Sequence, residues 1–235
     1  MRYLFSPTQV EWGILGDFLL RKNPAAQSYL IYLVVAFLVT CIISYLLGSI
    51  NPAILISKTL YGYDIRDYGS GNAGMTNMFR SFGKKAGFLT LAGDVLKALV
   101  AVIFGFVLFG GSGQYVAGFF CILGHVFPVF FRFKGGKGVI VGAITVLLID
   151  PLVFLVLVAV FGLMFAATQI ISVSSITAAF FYPMVVYAFN LKKPGVTYLL
   201  FSLLISFFII AMHKENIRRL LNKTEKKFTI KKSKK

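Results

Sequence analysis

The sequence predicts an all-α integral membrane protein with about seven transmembrane helices, its amino terminus outside and its carboxyl terminus in the cytoplasm. Three observations carry that expectation. Of the 235 residues, 58% are hydrophobic and only 14% charged, and the mean hydropathy is +0.83. Apolar runs long enough to cross a hydrocarbon core of ~30 Å recur from about residue 29 to 212. The lysines and arginines gather on one side of those runs once seven of them are counted. Regular alternation of apolar and polar residues is absent, so a transmembrane barrel is not expected.

Residues 1–28 carry Arg2, Glu11, Asp17, Arg21, Lys22 and Pro24 around a modest apolar patch. They lack the basic, apolar, then small-residue order of a cleavable signal and read as an unprocessed extension of unassigned role. The spans are expected at 29–59, 86–109, 114–131, 139–150, 152–171, 174–190 and 196–213. The first is longer than a bilayer needs, and Gly48 with Pro52 is expected to bend it. The fourth is short for a full crossing. Gly110 to Gly113, Asp150-Pro151 and Asn190 to Gly195 supply turns, and Ser174 and Ser175 are expected to cap the sixth span. Cys41 and Cys121 fall inside spans and read as small buried hydrophobes. The membrane domain then runs over 29–217, and 218–235 forms a basic tail.

With seven spans, one face carries eighteen lysines and arginines and the other five, and Lys97 lies within a span. An even number of spans would split the basic loops between the faces. The positive-inside rule therefore sets the orientation. The net charge of +16 beside apolar helices suits anionic lipid headgroups, and no nucleic-acid partner is expected.

Three polar segments fall on the predicted cytoplasmic face. The first, Gly69 to Arg80, holds three glycines, two hydroxyls, two amides and an arginine within twelve residues. Glycines let backbone N–H groups approach an anion, and Arg80 offers a bidentate grip on phosphate. A plain glycine-rich turn between helices is the alternative for this stretch alone. The second, Lys134 to Gly138, sets two ammonium groups on a flexible backbone, and no hydroxyl follows Lys137 as a nucleotide-binding P-loop would require. On this motif alone, an orientation anchor between the third and fourth spans is the favoured reading. The third places His213 and Asn216 on one helix face, with Arg218 and Arg219 a turn later. His125 reads as a buried polar or packing residue. Asp94 and Lys97, one turn apart inside a span, read as an ion pair supporting the site from behind.

Some chemistry is excluded. Neither histidine has an aspartate at His-x4-Asp spacing, and no His, Cys or carboxylate cluster suggests a metal; no cofactor is expected. An anion transporter would place its binding groups near the midplane on broken helices, often with an internal repeat, and neither pattern is present.

The ordered set of motifs resembles the acyl-phosphate-dependent glycerol-3-phosphate acyltransferases of bacterial membranes, the PlsY family. It comprises Gly48-Ser49-Ile50, Asp64-Ile65-Arg66, Gly69 to Asn72 through Thr76-Asn77 to Arg80, Gly83 to Gly87, and Asp94-x-x-Lys97. It continues with Gly124-His125-x-Phe127-Pro128, Phe133 to Gly138, and His213 to Leu221 with Thr224-Glu225. Asn51 before Pro52, Ala98 and Lys223 depart from the family pattern, and the first 28 residues have no counterpart.

The resemblance implies transfer of a fatty acyl group from acyl phosphate to the 1-hydroxyl of glycerol 3-phosphate, giving lysophosphatidic acid and phosphate in the first step of phospholipid synthesis. It implies a bacterial inner-membrane enzyme whose site faces the cytoplasm. Its catalytic residues would be Ser70, Arg80, Lys137, His213 and Asn216. Gly69, Gly71, Asn72, Thr76, Asn77, Lys134, Gly135, Gly136 and Gly138 would contact the substrate phosphates, with Asp94 and Lys97 behind them.

Overall fold

The computed structural model describes residues 13–20, 26–189 and 196–228, and among them every regular element is helical. The expected turn at Asn190 to Gly195 and the end of the basic tail lie outside the described residues. The α-helices are α1 (Gly13–Leu20), α2 (Ala26–Ser49), α3 (Pro52–Tyr61), α4 (Met75–Phe82) and α5 (Lys84–Val126). They continue with α6 (Val139–Ile149), α7 (Pro151–Thr168), α8 (Ile171–Phe189), α9 (Val196–Met212) and α10 (Lys214–Leu221).

The first long span is interrupted as expected, at Pro52 but not at Gly48. Gly48 remains inside α2, and the break falls at Asn51, whose side chain accepts the Ile54 N–H at 3.1 Å, with Pro52 at the first helical position. Gly48 serves close packing instead: a Cβ there would stand 2.2 Å from the Cys121 carbonyl oxygen. Gly124 answers from the other helix, with a Cβ 2.1 Å from Tyr45 O.

Helix α5 spans 43 residues but is two antiparallel arms. Phe109 and Gly110 leave helical geometry, Gly110 at φ 61°. A straight helix would part Lys97 from His125 by about 42 Å; their side chains meet at 2.8 Å. The expected turn over 110–113 is therefore tighter, because Gly113 already lies in the second arm, packed on Gly105. This hairpin is the centre of the bundle, with α2, α4 and α6 against it, while α7, α8 and α9 pack in sequence.

Four described stretches are long and apolar enough to cross a membrane, 30–61, 84–131, 151–168 and 171–189, and a fifth if the α9–α10 pair, bent by 55°, counts as one. The second of these is the hairpin. α6 has 11 residues. The apolar side chains of Leu152, Leu155 and Leu163 on α7 face outward, where lipid would satisfy them. Ser174 and Ser175 do not cap α8, which starts earlier at Ile171; Ser174 Oγ bonds back to Ile170 O at 3.1 Å. A smaller cluster of Ile54, Ile65, Ala73, Met78 and Ala86 packs under the loop between α3 and α4 and ties that loop to the bundle.

Candidate active site

The loop from Gly62 to Gly74 is organised by one side chain. Asn77, 2% exposed, accepts the Ser70 N–H through Oδ1 at 3.0 Å. Its Nδ2 donates to the carbonyls of Tyr68 at 2.9 Å, Asn72 at 3.0 Å and Ile65 at 3.3 Å. Gly69 and Gly71, at φ 62° and 71°, supply the left-handed turns that let the chain wrap the amide. The N–H groups of Gly71, Ala73 and Gly74 also donate inside the protein, to Tyr68, Gly135 and Asn72. The N–H groups of Ser70, Gly71, Ala73 and Gly74, expected to face an anion, are therefore engaged within the protein. Asn77 takes the Ser70 N–H, and backbone carbonyls take the other three.

Helix α4 carries Arg80 in its last turn. Its Nη2 donates to the carbonyls of Lys226 and Lys227 at 3.2 and 3.4 Å, while its buried Nε has no partner among the described residues. Burial lowers the guanidinium pKa from its ordinary value, Glu225 opposes this and Arg219 adds to it.

The second segment folds against the end of α5. Gly135 and Gly136 donate to Val126 O and His125 O at 3.1 and 3.0 Å. A Cβ on Gly136 would stand 2.0 Å from His125 Nε2, and one on Gly135 2.0 Å from His125 O. These glycines allow close approach to α5, and neither they nor Lys134 line the cleft. The loop delivers Lys137, whose ammonium donates to Asn216 Oδ1. Burial lowers the Lys137 pKa, Arg219 and Arg80 push the same way, and Glu225 opposes them.

His213 sits at the bend between α9 and α10. Its Nδ1 lies 2.7 Å from the Ile209 carbonyl, so Nδ1 carries the hydrogen and Nε2 keeps a lone pair in the neutral ring. Asn216 on α10 passes its amide to Glu225 Oε1 at 2.6 Å. Glu225 also accepts from Ser172 at 2.7 Å and Arg219 at 2.6 Å. Burial alone would raise the Glu225 pKa, but the hydrogen bonds from Arg219, Ser172 and Asn216 hold it below the usual carboxylate range. The sequence reading missed this hub. Its only signal was the Thr224-Glu225 pair closing the ordered motif set.

These residues meet around one cleft of about 450 Å³. Ser70, Arg80, Lys137, His213 and Asn216 all line it, from three parts of the chain, and Asn72, Thr76, Asn77 and Gly138 join them. An apolar wall of Phe79, Phe88, Leu91, Phe161 and Phe165 faces the same cleft. Gly69 and Gly71 shape the loop without lining the cleft, though Gly69 borders a second cavity that shares Ser70 and Arg80 with it.

Asp94 and His125 close the cleft from behind. Lys97 Nζ lies 2.9 Å from Asp94 Oδ1 and donates to the Gly48 and Ile50 carbonyls at 3.1 and 3.0 Å. The expected Asp94–Lys97 ion pair is present, and His125 completes it, 3.2 Å from Asp94. The triad caps the broken end of α2 and fixes the ring on which Gly136 rests. His125 is thus a packing residue with a polar partner, as its sequence context suggested.

A family model described as glycerol-3-phosphate acyltransferase matches residues 38–223. The chain is 42% identical over 187 residues to the glycerol-3-phosphate acyltransferase of Bacillus subtilis (strain 168), covering 79% of this chain and 94% of that one. It is 41% identical over 186 residues to that of Geobacillus kaustophilus (strain HTA426), covering 79% and 93%. The crystal structure of PlsY, an integral membrane glycerol 3-phosphate acyltransferase, superimposes in its glycerol 3-phosphate form with a TM-score of 0.76 at 37% identity. That match covers 82% of this chain and 96% of the other. The lysophosphatidic acid form matches with a TM-score of 0.72 at 36% identity, over 82% and 95%. Since agreement in sequence and in fold extends through all three cleft-forming segments, the chain belongs to the PlsY family of glycerol-3-phosphate acyltransferases.

Proposed function

We propose that this protein is an acyltransferase that moves a fatty acyl group from acyl phosphate to the 1-hydroxyl of glycerol 3-phosphate. The products are lysophosphatidic acid and inorganic phosphate. The observation that carries the reading is the composition of the cleft. Cations and amide donors from three distant segments share one cavity with an aromatic and aliphatic wall. That combination suits two phosphate-bearing reactants, one of which has a long apolar tail.

Acyl phosphate is an activated mixed anhydride, so no covalent enzyme intermediate is required. The glycerol oxygen bonds to the acyl carbon, the bond from that carbon to the phosphate oxygen breaks, and the electron pair leaves with phosphate. Arg80 and Lys137 offset the repulsion between the two phosphates and stabilise charge in the transition state. A substrate phosphate oxygen takes the hydroxyl proton; His213 Nε2, with its lone pair, is the second candidate. Ser70 hydrogen-bonds a substrate oxygen through its side chain, because its N–H is held by Asn77. The acyl tail lies along Phe79, Phe88 and Phe161.

Membrane placement follows the same reasoning. Counting the α5 hairpin as two arms and α6 as a short crossing gives seven spans. The contact of the three basic segments at one end of the bundle supports a cytoplasmic site and an outside amino terminus, in a bacterial inner membrane.

The test uses purified protein with labelled glycerol 3-phosphate and either acyl phosphate or acyl-CoA. Label in lysophosphatidic acid with acyl phosphate alone is expected. Product from acyl-CoA at an equal rate would overturn the donor assignment, and uptake into vesicles without a lipid product would indicate a transporter.

A further inference from the structure

The turn leading into Lys134–Gly138 contains two consecutive left-handed residues, Arg132 at φ 58° and Phe133 at φ 57°. Neither is glycine, and such a pair persists only where its surroundings hold it. Two hydrogen bonds within the turn contribute, Phe133 N–H to Pro128 O at 3.0 Å and Lys134 N–H to Phe131 O at 3.4 Å. A side chain from another loop grips it from outside. Arg66 Nη1 donates to Phe131 O at 2.8 Å and to Lys134 O at 3.3 Å, the carbonyls on either side of the strained pair. The opposite edge of the guanidinium is held by Asp64, with Nε to Oδ1 at 2.9 Å and Nη2 to Oδ2 at 2.7 Å. Asp64 is anchored in turn by the Arg66 N–H at 3.0 Å and by Lys58 at 3.2 Å. The Arg66 hydrogen bonds hold the Asp64 carboxyl well below the usual carboxylate range, so the grip is fully charged at neutral pH.

Arg66 and Asp64 line neither cavity, so a direct role on substrate is not what places them there. They join the loop that carries Ser70 to the loop that carries Lys137. We propose that the Asp64–Arg66 pair is a positioning device: it braces the strained Arg132–Phe133 turn and thereby sets where Lys137 stands against Ser70 and Asn216. Its catalytic consequence rests on the acyltransferase reading, whereas its bracing of the turn does not. A planar fork that spans two carbonyls on one edge and a carboxylate on the other cannot be reproduced by lysine.

The test compares full-length wild type, Arg66→Ala, Phe133→Gly and the double variant in detergent, by kinetics and by amide hydrogen exchange. Phe133 is 57% exposed, and glycine adopts its φ without strain, so the single Phe133→Gly variant should stay within about twofold of wild type. Arg66→Ala should lose about tenfold or more in kcat/KM, since small misplacements of a charged group are costly. Exchange at Gly135 and Gly136 should accelerate about tenfold while α7 and α8 stay unchanged. Adding Phe133→Gly should recover about threefold or more of the activity, because the turn no longer needs bracing.

Wild-type kinetics and exchange in Arg66→Ala would overturn the proposal. So would loss of activity without faster exchange, or a double variant no better than the single one. If Arg66→Ala does not fold, Arg66→Lys takes its place; the same losses at a normal Tm are expected, and full activity overturns the brace. A wild type inactive on acyl phosphate would remove the functional reading, and exchange in the variants would still decide the brace.

Discussion

Lys137 should set how the site responds to alkaline pH. Burial brings its ammonium down to about 8, with Arg219 and Arg80 acting in the same direction and Glu225 against them. A depressed lysine is charged below its pKa and loses the charge above it. The kcat/KM for glycerol 3-phosphate should therefore fall as pH rises through about 8. Glu225→Gln removes the one group that raises this value, so the alkaline limb should move to lower pH; an unmoved limb would show that another group sets it. Lys137→Ala should lose about 100-fold or more in turnover, the scale at which a preorganised charge acts on a transition state. For His213→Ala, an unchanged maximal rate would leave proton removal to a substrate phosphate, and a large loss would assign it to His213.

The helices set these residues through a few close contacts. Gly48 on α2 and Gly124 on the second arm of α5 let the two helices interlock, each with the facing helix's backbone within reach of a single Cβ. Gly48→Ala should destabilise the bundle by about 1–3 kcal/mol, because backbone cannot rotate away as a side chain can. Thermal unfolding in detergent measures this, and an unchanged Tm would mean that the helices separate freely. The segment after α10 also acts as an element. Glu225 collects Ser172, Asn216 and Arg219, Arg80 holds two backbone carbonyls, and the Phe228 ring packs on Phe79 and Phe165 at 6.3 and 6.1 Å. This strap covers one side of the cleft and ties α10 back to α8.

At the scale of the whole molecule, orientation is the quantity to measure. Cysteines introduced at Ser112, in the hairpin turn region, and at Lys134, in the Lys137 loop, should label from opposite sides of sealed vesicles. Both native cysteines are buried and should stay silent. Labelling of both new sites from one side would overturn the seven-span arrangement.

The helical membrane class was legible in the sequence because burial in lipid is a property of long runs, averaged over many residues. Arg80, Lys137 and His213 stood out as cations or an imidazole beside apolar helices, and Asn216 by sharing the His213 helix face; their joint assignment to one site came from the family resemblance. The Asp94–Lys97 pair was legible through its helical spacing inside a span. Other features depend on which surfaces meet after folding. The Ser70 N–H proved to be occupied because Asn77 folds back into its own loop, and Gly136 proved to be a contact because His125 arrives from a helix ended ten residues earlier. The Glu225 hub and the Arg66 brace join segments far apart in the chain. Periodicity and composition record the solvent each residue prefers, but a hydrogen-bond partner is chosen by distance in space, and that distance exists only in the packed molecule.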